Sequence, residues 1–166
     1  TEGCMRGRSF PQLVNIPTLT NAWQMIYNCE LQREEKTAIA IAVFYLKWTE
    51  KFGDKDLKVF KSLSTIMIEW NSGRKFGNGY NVNGVKVFGG CVTGVTLTPG
   101  YIWVKSREGQ MICETSLIHE LVHVSLWATS GKHGDPDHEG RKYEGWSMLH
   151  SDLISSANSA LCRLGI

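Results

Sequence analysis

The segment Gln110 to Ala128 constrains this chain more than any other. It carries Met111, Ile112, Leu117, Ile118, Leu121, Val122, Val124, Leu126 and Trp127, which cover most sides of a helix. A helix apolar around most of its circumference is a buried one, so the remainder of the chain has to wrap it. The middle of the same segment reads His119-Glu120-Leu121-Val122-His123. Residues four apart on a helix lie on one face, about one turn from each other, so both imidazoles can reach a single ion. Burying two imidazoles and a carboxylate without partners is costly, and a bound metal supplies the compensation.

The spacing is that of HExxH, in which zinc lowers the pKa of a bound water and the glutamate takes its proton. The expectation is therefore zinc held by His119 and His123, with Glu120 as the catalytic base. A chance match within an ordinary amphipathic helix is the alternative. A catalytic zinc usually needs a third protein ligand and one open position. The loop that follows offers His133, Asp135, Asp137, His138 and Glu139, with Glu144 just beyond. Asp135 and Asp137 flank Pro136 and read as turn residues. Glu139 and Glu144 keep a carboxylate ligand open. The extended metzincin pattern is excluded, because Leu126 and Thr129 stand where it needs glycine and a third histidine.

His119-Glu120-x-x-His123, fourteen residues, then His138 resembles the SprT-like (Spartan-type) zinc metallopeptidases. The segments Val124-Ser125-Leu126-Trp127 and His138-Glu139-Gly140-Arg141-Lys142-Tyr143 are similar to that family as well, although Glu139 stands where glycine is common there. The likeness covers about Ala38 to Leu149 and is most specific at the metal site. It implies His138 as the third ligand, ahead of His133, which reads as a solvated loop histidine. It also implies a zincin-like fold and hydrolysis of protein or peptide substrates. Tyr143 then either stabilises an oxyanion or packs on the metal helix. His150 reads as structural.

The rest of the chain reads as α+β, a single domain over residues 1–166. Asn21 to Arg33 carries Trp23, Ile26, Tyr27 and Leu31 at helical spacing, and Glu34 to Phe52 repeats the pattern until Gly53 stops it. Ser64 to Trp70, Val85 to Val95 and Tyr101 to Lys105 are β-favouring runs, separated by turn signals including Pro99-Gly100. They suggest a small antiparallel sheet of three or four strands. Tyr101 to Val104 is the candidate edge strand on which an extended peptide could pair, with an interior strand as the alternative. A last helix is expected from about Arg141 to Leu164. The basic stripe Lys51, Lys55, Lys58, Lys61 reads as a solvated helix face.

Composition narrows the function further. A net charge of +2 does not demand a nucleic-acid partner, and no zinc knuckle or basic tail is evident, so a DNA-dependent role is not carried over from the resemblance. No apolar run is long enough for a membrane span. Oligomeric state and substrate identity are open. The five cysteines, Cys4, Cys29, Cys91, Cys113 and Cys162, are an odd number with no CxxC pair. They suit either one or two disulfides in an oxidising compartment or reduced, partly buried thiols. With a start at Thr1 rather than Met, the reading leans to a secreted or cell-envelope protein. Zinc peptidase is the leading function. A zinc amidase acting on cell-wall peptides and a non-catalytic zinc-binding domain are the alternatives, and intact Glu120 speaks against the last.

Overall fold

The computed structural model describes residues 12–15, 24–27, 33–71, 80–82, 85–87, 93–134 and 144–166. The order along the chain begins with strands β1 (Gln12–Asn15) and β2 (Gln24–Tyr27), then helices α1 (Arg33–Phe52) and α2 (Lys58–Ser64). Strands β3 (Met67–Asn71), β4 (Tyr80–Val82), β5 (Val85–Val87), β6 (Gly94–Thr98) and β7 (Tyr101–Lys105) follow. A 3₁₀ turn (Ile112–Glu114) leads into α3 (Leu117–Ser130), and α4 (Met148–Arg163) comes last. The chain is α+β.

Helix α1 follows from its sequence. Ala38, Ile41, Phe44 and Trp48 recur at helical spacing and are all buried. Glu34 and Glu35 stand in its first turn and Lys51 in its last, which complements the helix dipole. It ends at Gly53, whose φ of 72° is the left-handed conformation that glycine adopts without penalty. Asp54 then caps the next helix, accepting the Val59 and Phe60 amides at 3.1 and 2.9 Å. The four lysines of the basic stripe are exposed.

The sheet differs from the expected antiparallel one. Its order is β1-β2-β3-β7-β6, with β4 and β5 forming a separate two-stranded hairpin. The outer pairs are antiparallel, but β2–β3 and β3–β7 are parallel. Helices α1 and α2 lie between β2 and β3 in sequence, and a helical crossover returns the chain to the same end of the sheet, where it pairs parallel. The segment expected as a first helix instead contributes β2. Ladders on both sides, to β1 and β3, satisfy the backbone of Gln24–Tyr27 and outweigh a weak helical periodicity. Strand β7 matches the expected run at both ends, yet it is interior, flanked by β3 and β6. Among the described residues β1 and β6 are the two edges of this sheet.

Helix α3 packs on α1, α2, α4 and β6. Leu117, Ile118, Leu121, Val122 and Val124 join Ile68, Trp70, Ile102 and Val104 from the sheet in one core. Each such side chain taken fully from water contributes about 1.5–3 kcal/mol. Register places Gly94 opposite Val104 and Thr96 opposite Ile102, so both residues of the edge strand face the helix layer.

The last helix starts later than its apolar pattern suggests. Of the early positions expected in it, 144–147 are not helical, and 141–143 lie outside the described residues. Ser147 is the N-cap, and His150 Nδ1 accepts its amide at 3.0 Å and its hydroxyl at 2.9 Å. The ring stacks on Phe52 at 4.3 Å. His150 is structural, as its position suggested. The C-terminus of α4 is tied back by a disulfide between Cys113 and Cys162, with Cα atoms 5.5 Å apart. The Cys113 amide also donates to the Ile166 carbonyl. Cys4, Cys29 and Cys91 lie outside the described residues.

Thiol counting on unreduced, denatured protein should find at most three free thiols of five; five would remove the bridge. Closing a loop with a separation of 49 residues is worth about 4 kcal/mol in the chain-entropy model, so reduction should lower stability by an amount of that order. A second expectation concerns His150. Burial pushes its imidazole below the ordinary value of 6.5, and its cap bond needs Nδ1 unprotonated. The folded state therefore binds its proton less readily than the unfolded chain, and stability present above pH 6.5 is lost as pH falls below it. In metal-free protein, the destabilisation caused by His150→Gln should be largest near neutrality and shrink toward pH 5 in denaturant titrations. A constant difference would refute that linkage.

Candidate metal and catalytic site

Helix α3 delivers the three residues of the motif to one place. His119 and His123 stand a turn apart, and their Nε2 atoms approach to 3.2 Å. Two ligands of a tetrahedral zinc bound at 2.0–2.1 Å stand about 3.3 Å apart, so the pair has the separation such an ion requires. His123 is fully buried. Its Nδ1 lies 2.6 Å from the main-chain oxygen of His133. A carbonyl only accepts, so Nδ1 carries the proton and the lone pair of neutral His123 is on Nε2, where an ion would use it.

This contact depends on the residue after His133. Gly134 has φ of +100°, and a Cβ there would stand 2.9 Å from Leu126 Cδ1, 3.2 Å from Trp146 Cε3 and 3.5 Å from His123 Nδ1. Glycine alone lets the loop fold back over the helix at this distance. His133 itself is not the solvated residue expected of it. It is buried, and its ring packs 4.6 Å from that of His123 and 5.0 Å from that of Trp127. The loop has to bring its carbonyl to His123, and this carries the His133 ring under cover. Trp146 covers the pair, with ring centroids 5.0 Å from His119 and 4.9 Å from His123. Its indole N–H donates to Ser151 on α4 at 3.0 Å.

Glu120 lies between the two histidines in sequence, and its carboxyl reaches β6 in space. It is 2% exposed, and Thr96 Oγ1 donates to its Oε1 at 2.8 Å. Burial pushes the carboxyl up to about 8, against hydrogen bonding from Thr96 that pulls it down. Gly94 makes room for it. A Cβ there would fall 2.3 Å from Ser116 Oγ and 3.0 Å from both Cγ and Oε2 of Glu120. Neither Gly94 nor Thr96 was marked by the sequence reading, and nor were Gly134 or Trp146. The signals are faint: a glycine and a threonine two apart in a β-favouring run, on the face that alternation assigns to the helix layer.

His138, the expected third ligand, lies outside the described residues, as do Asp135, Asp137, Glu139 and Tyr143. Glu144 is exposed, with its amide turned to the Gly134 carbonyl. Among the described residues no group of three His, Cys, Asp or Glu side chains is set to hold an ion. No described helix is long and apolar enough to cross a membrane.

Gly94→Ala should force Glu120 or β6 to shift and cost about 1–3 kcal/mol, the usual range for overpacking. Gly100→Ala, where an added Cβ meets nothing within 4 Å, is the matched control. Equal melting temperatures for the two variants would show that the contact between strand and helix tolerates the methyl group.

In comparisons with family models, curated proteins and solved structures, none matches this chain.

Proposed function

We propose that this protein is a zinc-dependent peptidase of SprT-like, zincin-like type, with zinc held by His119, His123 and His138 and Glu120 as general base. The observation that carries the reading is the paired Nε2 atoms at 3.2 Å, with His123 fixed in the metal-binding tautomer by the His133 carbonyl. Zinc, when bound, supplies a Lewis acid that acidifies water and polarises a carbonyl oxygen.

The chain's own residues supply the rest. Glu120 is the one carboxylate in the apolar helix and sits beside the first histidine. Burial at 2% exposure raises its proton affinity above that of an ordinary carboxylate. Trp146 excludes water from one side of the histidine pair. Strand β6 has a strand neighbour on one side among the described residues and passes Glu120 at Gly94 and Thr96. An extended peptide adding to its outer edge would be aligned by main-chain hydrogen bonds rather than side-chain reading. That favours unfolded or extended protein segments as substrates. The same pairing was first assigned to Tyr101–Val104; the interior position of β7 moves it one strand outward.

Metal analysis of the purified protein should find one zinc per chain. His138→Ala should cut that occupancy sharply, and His133→Ala should leave it near native, since the carbonyl that His123 uses is main chain. Glu120→Gln keeps the size of the side chain and removes the base, so it should retain zinc and lose hydrolysis of unfolded protein by about 100-fold or more. Undiminished turnover in that variant removes Glu120 from the reaction. A native chain that takes up no zinc removes the metal.

A further inference from the structure

Resting on the reading of Glu120 as general base, we infer that Thr96 is a positioning residue, holding one oxygen of the Glu120 carboxylate so that the other is left to take the proton from water.

The geometry has three parts. Thr96 Oγ1 stands 2.8 Å from Oε1 and 3.3 Å from the Glu120 main-chain oxygen, so its one proton goes to Oε1, the nearer acceptor. Thr96 is 0% exposed, so water does not compete for the bond. Oε2 lies over Gly94, 3.0 Å from where a Cβ would be, so the bare point of the strand leaves room for the second oxygen. A glutamate side chain has several rotatable bonds, and α3 alone does not choose among its rotamers. The edge strand does.

The chemistry suits this anchor. In amide hydrolysis a water O–H bond breaks, its proton passes to Oε2, and the oxygen's electron pair forms a bond to the amide carbon as the C=O π pair moves onto the carbonyl oxygen. That pair then re-forms the C=O bond as the C–N bond breaks, its electrons leave with nitrogen, and the proton returns from Oε2 to that nitrogen. Oε1 is an acceptor before and after each transfer: as carboxylate oxygen at first, as carbonyl oxygen of the acid later. The Thr96 hydroxyl therefore donates to it throughout, and the carboxyl group does not turn when the proton arrives. The same strand presents its outer edge to the peptide, so base and scissile bond share one reference.

The test compares native protein, Thr96→Val and Thr96→Ser, all zinc-loaded, on fluorescein-labelled casein as an unfolded substrate. Valine keeps the volume and removes the donor; serine keeps the donor. Thr96→Val should bind one zinc, lose about 10- to 100-fold in kcat as a misplaced base does, and leave KM nearly unchanged. Thr96→Ser should recover most of the loss. A Thr96→Val protein with native kcat, or a Thr96→Ser protein as slow as the valine variant, overturns the inference. A second readout needs no activity: in metal-free melts Thr96→Val should lower Tm in the native background and much less in Glu120→Ala. Equal losses in both backgrounds also overturn it. If zinc-loaded native protein leaves casein intact, the peptidase reading falls and this role falls with it. That outcome is distinct from an active native enzyme indifferent to Thr96→Val.

Discussion

Three titratable side chains inside a largely apolar helix set the terms for the rest of this structure. Helix α3 has to be covered by α1, α2, α4 and the sheet to bury Leu117, Ile118, Leu121 and Val122, yet His119, Glu120 and His123 cannot be left unsatisfied there. Each neighbouring element answers part of that demand. The loop after the helix brings the His133 carbonyl to His123, β6 brings the Thr96 hydroxyl to Glu120, and the approach to α4 brings Trp146 over both imidazoles. Two of these approaches are made at glycines: a methyl group at Gly94 would collide with Ser116 and press on Glu120, and one at Gly134 would press on Leu126 and Trp146.

What was legible in the amino-acid sequence follows the range of the forces involved. Helix α1, the end at Gly53, strand β7 and the motif on α3 rest on local periodicity, capping and i,i+4 spacing, and each could be read from a short window. Strand β2 could not. Its four residues lie in a window, Asn21 to Arg33, of helical apolar spacing, and pairing with β1 and with β3, some forty residues on, makes them extended. The parallel pairing of β2 with β3 is likewise decided by the crossover through α1 and α2, and the interior place of β7 by its long-range pairing with β3, which no local pattern encodes. The start expected near Arg141 for α4 is too early, because the cap between Ser147 and His150 decides where the helix begins.

The site divides along the same line. Spacing on one helix exposed His119, Glu120 and His123. The residues that orient them, Thr96 and the His133 carbonyl, come from other elements. A carbonyl oxygen has no sequence signature at all. Threonine in a strand is common, and its distinction here comes only from register against β7 and from the absence of a side chain at Gly94. His133 looked like a solvated loop residue because composition around it is polar; its burial is a by-product of what its main chain does.

The bridge between Cys113 and Cys162 has a topological consequence. It closes a covalent ring that contains α3, the loop carrying His133, Trp146 and nearly all of α4. A backbone break anywhere inside the ring would leave both halves joined, with the helix and its covering loop still tethered within reach of one another. A chain cut once inside the ring would travel as one species until a reductant opened the bridge.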